Sequence, residues 1–247
     1  MEWIVAQRHR LRSLFGSFFG PEVVTAVLEL ARPALRLTAA RAAPLTGTRL
    51  GGDPVLPAGA DWPSWAGRPL DFLGVIDFAE LAAVLRLPEL PAAGSAAFYY
   101  AAGTPRPWGD DPAQRDGWRV VVGGGLERTG SAAGPVLPLS AEPFLSLPAP
   151  QEPVLARLEA DYAGVLPVYE QLYAAWAQFV WPDEPMHQVG GWPALVLPPM
   201  TEDDRSPLLQ LDSDERLGWH WGDPGRIFFR IRENEPVDHA WLTLQAR

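Results

Sequence analysis

Asp212, Asp214 and Asp223, with Trp221 among them and His187 upstream, are the residues of this chain whose types and spacing best suit chemistry. Three carboxylates can hold a hard cation such as calcium or magnesium through oxygen, and one beside a histidine can act as a general base. Two-residue spacing in a strand puts Asp212 and Asp214 on one face, and a turn at Trp221-Gly222-Asp223 would bring Asp223 back toward them. The structural alternative is that the aspartates end a strand and cap turns, and that the histidine is simply hydrogen-bonded. Neither the ligand order of an EF-hand nor an HExxH pattern is present, so no metal site is assigned. A second group, Trp62, Arg68, Trp192, Gln210 and Trp221, is the candidate ligand-binding set. Aromatics around a concavity stack on sugars, bases or a partner's side chains, although most of eleven tryptophans are expected in the core.

Composition removes whole classes of chemistry. There is no cysteine, hence no disulfide, thiolate nucleophile or iron–sulfur ligation. All 20 basic residues counted as Lys plus Arg are arginine. Without lysine there is no Schiff base to pyridoxal phosphate and no phosphate-binding lysine of the Walker or kinase type. Gly123-Gly124-Gly125 fails the spacing of a dinucleotide loop and predicts a glycine turn, and no GxSxG elbow occurs. No cofactor is expected.

The formal charge of −10 disfavours nucleic acid and favours a basic protein partner. Only Arg8, Arg10 and Arg12 make a local basic run, in a stretch whose apolar residues fit a helical face loosely. That stretch lacks the apolar core of a signal peptide, and no run approaches a membrane span. A cytoplasmic protein without membrane contact is expected.

These residues need a scaffold, and its elements read as follows. Pro21 opens a helix stopped by Pro33, and alternating Leu35 and Leu37 predict a strand. Strand Phe72 to Ile76 leads into a short helix, Phe78 to Leu85, with Asp77 and Glu80 at capping-box spacing. Strands are predicted at Ala96 to Ala101, Trp118 to Val122, Leu208 to Leu211, Ile227 to Ile231 and Trp241 to Gln245. Gly103 to Gly117 reads as a long loop, and Pro153 to Gln178 as a helical stretch broken near Gly164 and Pro167.

One order recurs: Gly51-Gly52-Asp53-Pro54, then Pro69 to Asp77, then Gly94 with Phe98-Tyr99-Tyr100; and Gly190-Gly191-Trp192-Pro193, then Pro207 to Asp212, then Gly225 with Ile227-Phe228-Phe229. Glycine pairs admit positive φ, and the following proline sets an extended exit into a strand. The pattern predicts an α+β fold with an internally duplicated, β-rich core of two Gly-Gly-x-Pro/strand units. One domain is expected over 1–247: N-terminal helices and first strand (1–45), first β unit (46–150), helical segment (151–183) and second β unit (184–247).

At Thr48-Arg49-Leu50-Gly51-Gly52, Trp62-Pro63, Gly67-Arg68-Pro69-Leu70, Gly190-Gly191-Trp192-Pro193, Leu208 to Asp214 and Trp221-Gly222-Asp223 the chain resembles the YwqG-like family of bacterial proteins, catalogued as a domain of unknown function. The resemblance implies an α+β cytoplasmic protein, brings no catalytic residues, and leaves an immunity role in toxin systems open. It also implies two glutamines that this chain lacks: Val75 stands at one, and Ala194 to Leu197 follow the second turn without the other. The functional expectation is a non-catalytic binding or interaction protein, of an immunity or regulatory kind. The alternatives are a carboxylate- or metal-dependent hydrolase and a small-molecule sensor with a Trp-lined pocket.

Overall fold

The computed structural model describes residues 2–41, 45–123, 126–128, 134–182, 184–199 and 204–247. The glycine turn expected at 123–125 lies partly outside these residues. In chain order the elements are α1 (Glu2–Gly16), α2 (Pro21–Leu30), β1 (Arg32–Ala39), β2 (Arg49–Gly51), β3 (Val55–Pro57), β4 (Ser64–Trp65), β5 (Arg68–Pro69), β6 (Asp71–Asp77) and α3 (Phe78–Val84). There follow β7 (Ser95–Tyr100), β8 (Trp118–Gly123), β9 (Leu126–Arg128), β10 (Val136–Ser146), α4 (Pro153–Asp161), α5 (Val165–Val180), β11 (Gln188–Val189), β12 (Ser206–Asp212), β13 (Gly225–Ile231) and β14 (Trp241–Ala246). The expected break at Gly164 is real: its φ of +86 separates α4 from α5, and Pro167 sits harmlessly in the first turn of α5.

Ten strands form one sheet in the order β14-β13-β12-β11-β1-β10-β2-β6-β7-β8, every neighbour antiparallel. The sheet rolls nearly into a barrel. Phe98 on β7 and Phe229 on β13 are far apart in strand order, yet their ring centroids are 4.9 Å apart inside it. At the seam, Trp118 Nε1 donates to Ala240 O at 3.1 Å and the Leu244 amide donates to Trp108 O at 2.9 Å. Gly109 makes this approach: its φ is +79, and a Cβ there would lie 1.9 Å from Leu242 O.

Side-chain alternation sorts the two faces. Leu35 and Leu37 of β1 point into the rolled interior with Leu50, Ile76, Phe98, Leu209, Leu211 and Phe229. Ala34 of β1 faces outward instead, where α1, α2, α4 and α5 pack through Phe15, Val27, Leu155, Tyr169 and Trp176. Tyr99, Ala97 and Leu70 form a small outer cluster beneath the excursion from β3 to β5.

The eleven-residue β10 is absent from the sequence expectations because Pro138 and Pro143 argue against a central strand. Its register explains the tolerance of Pro143. The Leu37 amide donates away from β10, to His187 O, so by the two-residue period Leu35 also turns its N–H away. Leu35 is the partner of Pro143, and the missing proline N–H therefore costs no ladder bond with β1. On the other edge of β10, beyond the three residues paired with β2, Gln7 of α1 substitutes for a strand. Its Nε2 donates to Pro143 O at 3.0 Å and its Oε1 accepts from the Leu145 amide at 2.7 Å.

Read outward from the β1–β10 pair, both flanks carry the same devices. Gly51 ends β2 and Gly52 follows it (φ +62 and +74), and Gly190 and Gly191 (both +70) follow β11. Arg49 donates to the carbonyls two and four residues ahead, Gly51 O and Asp53 O; Gln188 does the same to Gly190 O and Trp192 O. The β6–β7 register shifts between Phe72 and Gly74, the β12–β13 register between Pro207 and Leu209. Between β2 and β6 Val75 opposes Arg49, as between β11 and β12 Gln210 opposes Gln188.

Candidate functional site

The loop before β11 and the turn after β12 bring His187, Asp212 and Asp214 together. The His187 main chain is fixed by its N–H on Pro185 O (2.8 Å) and by its carbonyl accepting from Leu37 on β1. Asp212 is the last residue of β12. Asp214 lies beyond the strand, where its side chain caps the single 3-10 turn Glu215–Leu217 by accepting from the Arg216 amide. The expectation that Asp212 and Asp214 share a strand face is thereby corrected: a turn, not strand period, delivers Asp214. Gly218, φ +68, closes that turn and allows Trp219 and Asp214 to form a bridge.

His187 is fully buried and both its ring nitrogens are occupied. The Asp212 amide donates to Nδ1 at 3.1 Å, so Nδ1 is the unprotonated nitrogen. Nε2 carries the hydrogen and donates it to Asp214 Oδ2 at 3.1 Å. Trp219 covers the ring edge-on, centroids 6.3 Å apart. Asp214, 2% exposed, also takes two bonds from the Arg216 guanidinium, Nε to Oδ1 at 2.9 Å and Nη2 to Oδ2 at 2.8 Å. Burial alone would raise the Asp214 carboxyl; the hydrogen bonds from His187 and Arg216 overcome it and hold the group well below the usual carboxylate range. Arg216 is raised in turn, chiefly by its hydrogen bonds to Asp214, and reaches on to Glu184 at 2.9 Å. Asp212 accepts from the Met186 amide at 3.0 Å and pairs with Arg226 at 3.2 Å.

The arrangement is a closed polar knot. Asp223 stays outside it: the residue is exposed and its amide is tied to Arg247 O at 3.3 Å, against the expected return. Among the described residues no three of the histidine, aspartate and glutamate side chains are placed to share a metal ion.

A matching knot sits on the other flank. Thr48 precedes Arg49 as His187 precedes Gln188, and its Oγ1 accepts from the Asp77 amide at 2.9 Å, as Nδ1 does from Asp212. Asp77 Oδ1 caps α3 through the Ala79 and Glu80 amides. Glu80 does not close the expected capping box. Its carboxylate instead accepts from the Thr46, Gly47 and Thr48 amides. Burial opposes ionisation of Glu80, but the hydrogen bond from the Thr46 hydroxyl, together with these amides, leaves it below its ordinary value.

The five candidate ligand-binding residues are dispersed. Trp62 (38% exposed) donates to Leu70 O and meets Tyr99 edge-on, while Arg68 binds Thr104 O and Pro105 O. Trp192 lies under the Arg32 guanidinium, 3.5 Å from its ring centroid, and donates to Leu30 O. Gln210 is buried; it accepts from Ala194 N–H at 2.8 Å and donates to Met186 O at 2.5 Å. Trp221 alone adjoins the knot, donating to Asp212 O at 3.1 Å and packing edge-on against Tyr100. Two cavities, about 700 Å³ between α1 and α5 and about 160 Å³ outside β13 and β14, are lined by none of the five. Arg216, Glu184 and Arg226, which complete the knot, were not among the candidates. Their sequence signal is slight: an arginine two residues beyond Asp214, and Glu184 three before His187.

The chain matches the family model described as a domain of unknown function (DUF1963) over residues 48–241, and it belongs to that family. The matched span runs from Thr48 of one knot through Asp214 of the other to Trp241 at the seam. No curated protein matches the chain. No described helix is long and apolar enough to cross a membrane.

Proposed function

We propose that this protein is a non-catalytic binding protein. The observation that supports this reading is the closure of His187: both nitrogens are engaged inside the protein and the ring is fully buried, so no lone pair is left for a substrate proton. Asp214 is saturated by His187 and Arg216 in the same way. The two knots work as rivets that hold each glycine-gated strand to its neighbour. Their recurrence, with the matched registers and side-chain bonds, supports the reading of the sheet as two copies of one β unit. The finer placement among YwqG-like bacterial proteins of the cytoplasm, with an immunity or regulatory role, rests on the sequence resemblance. The −10 charge favours a cationic protein as long-range partner.

The test is twofold. Purified protein titrated calorimetrically with magnesium and calcium should give no binding heat, and assay with nitrophenyl esters and phosphates should give no turnover. Turnover or cation binding that disappears in a folded Asp212→Asn or Asp214→Asn variant would establish the hydrolase instead.

A further inference from the structure

The outer face of the last hairpin is hollow where its counterpart on the first flank is filled. On the first flank the excursion from β3 to β5 lays Leu56 and Leu70 against Tyr99, whose hydroxyl donates to Val55 O at 2.8 Å. Tyr99 follows Phe98 on β7 as Arg230 follows Phe229 on β13, and Phe98 and Phe229 are the pair that meets inside the sheet. Arg230 does not fill the corresponding space. Its Nη2 donates to Arg205 O at 2.9 Å, and the cavity of about 160 Å³ opens beside it, walled on the other side by Pro193 and Leu195.

Alternation on β14 sends Trp241, Thr243 and Gln245 to this face, opposite Arg230, Phe228 and Arg226 of β13. Gln245 lines the cavity, is only 6% exposed, and accepts through Oε1 from the Val196 and Leu197 amides at 2.9 and 3.1 Å. Those two bonds fix the plane of its amide group. Nε2 is left with two hydrogens and no partner among the described residues. A buried donor without an acceptor is costly, so this wall is incomplete until an oxygen arrives. Thr243 Oγ1, two positions away on the same strand, also lines the cavity and has no partner among the described residues. Phe228 is buried yet lies outside the three apolar clusters, and with Trp241 it gives the cavity a flat apolar side.

The idle groups of the lining are therefore neutral. Arg205 and Arg230 are engaged within the protein, Arg230 on Arg205 O and Arg205 over the Trp241 ring at 5.1 Å. Asp110, also in the lining, is exposed and keeps its water.

We propose that this cavity binds a small neutral molecule with a carboxamide or lactam edge on a flat apolar body. Its carbonyl oxygen accepts from Gln245 Nε2, its N–H donates to Thr243 Oγ1, and its ring lies against Phe228 and Trp241. The volume suits one ring, since engineered apolar cavities of about 150 Å³ take up benzene. The assignment rests on the binding-protein reading and gives that reading a ligand class. A neutral ligand leaves the long-range charge of the surface to a cationic partner.

The probe is benzamide, titrated into the isotope-labelled full chain and followed by amide proton–nitrogen correlation spectra. Benzoate and benzylamine, anionic and cationic analogues of similar size, are the controls. Saturable shifts should appear at the Gln245 side-chain NH2 and at the Thr243 amide, with a Kd of about 1 mM or tighter, the range of a fragment of this size. Both ions should bind at least about tenfold more weakly. Gln245→Glu keeps an oxygen for the Val196 and Leu197 amides but replaces the idle donor by an acceptor, so benzamide affinity should fall at least about tenfold. Thr243→Val has the same shape, leaves those loop bonds untouched, and should weaken binding about three- to tenfold. No saturable shift up to about 10 mM, shifts centred away from β14, equal or tighter binding of either ion, or unchanged affinity in folded Gln245→Glu or Thr243→Val each overturn the assignment. Any of these in a chain without hydrolytic turnover removes the ligand site and leaves the binding reading standing; turnover lost in Asp214→Asn removes that reading instead.

Discussion

At the scale of single residues, the His187–Asp214–Arg216 chain turns residue types suited to an active site inward on one another. A catalytic histidine needs one nitrogen facing the substrate, and here a backbone amide and a carboxylate take both. The Asp214 carboxyl is depressed in the folded state, so its contribution to stability is complete above the ordinary carboxylate value, about 4, and is lost as pH falls below that toward the folded value. Chemical denaturation between about pH 7 and pH 3 should therefore show wild type losing stability on acidification. Asp214→Asn should be about 2–3 kcal/mol weaker at neutral pH, with a flatter acid limb. An unchanged acid limb in the variant would refute the role given to Asp214. The cluster was legible in the sequence as proximity of residue types, but its function was not. Which nitrogen of His187 is occupied depends on an amide 25 residues away, a distance that no local pattern encodes.

At the scale of elements, the glycine pairs set where each flank begins. At Gly191 a Cβ would sit 2.3 Å from Ser146 Oγ and 2.6 Å from Ala34 Cβ, with φ +70 besides. Ser146 Oγ accepts from Trp192 and donates to Arg32 O, so it cannot retreat without losing both bonds. Gly59 has a similar φ, +74, and open space. Gly191→Ala should thus cost about 3 kcal/mol and Gly59→Ala about 1 kcal/mol, measured by urea unfolding. Equal costs would show that the close packing at Gly191 is immaterial. Gly-Gly-x-Pro punctuation made these turns readable, as alternation did for β1 and β13. β10 escaped because its Pro143 is accommodated only by neighbours, Leu35 and Gln7, that lie more than a hundred positions away.

At the scale of the whole molecule, the rolled sheet is closed by a loop rather than by a strand. Trp108 O accepts from Leu244 and Gly109 O from Trp241 Nε1, which ties the β7–β8 connection to the last strand. Gly109→Ala would drive a Cβ into Leu242 O, and the seam should part while the helical layer stays packed. Hydrogen exchange should then accelerate at the Leu244 amide and leave α5 unchanged; uniform acceleration would mean that seam and helices unfold as one unit. Closure was not legible in the sequence, where 103–117 reads only as a long loop, because a seam is a relation between distant edges.

Strand order also carries a consequence for synthesis. β1 emerges from the ribosome early, yet one of its edges belongs to β11, made some 150 residues later by the numbering of Leu35 and Val189. Until then the nascent half-sheet, β1-β10-β2-β6-β7-β8, presents a bare edge and an unroofed apolar face. Chains stalled before residue 188 should therefore co-purify with chaperones and be released once β11 is complete, as pull-downs of arrested chains would check.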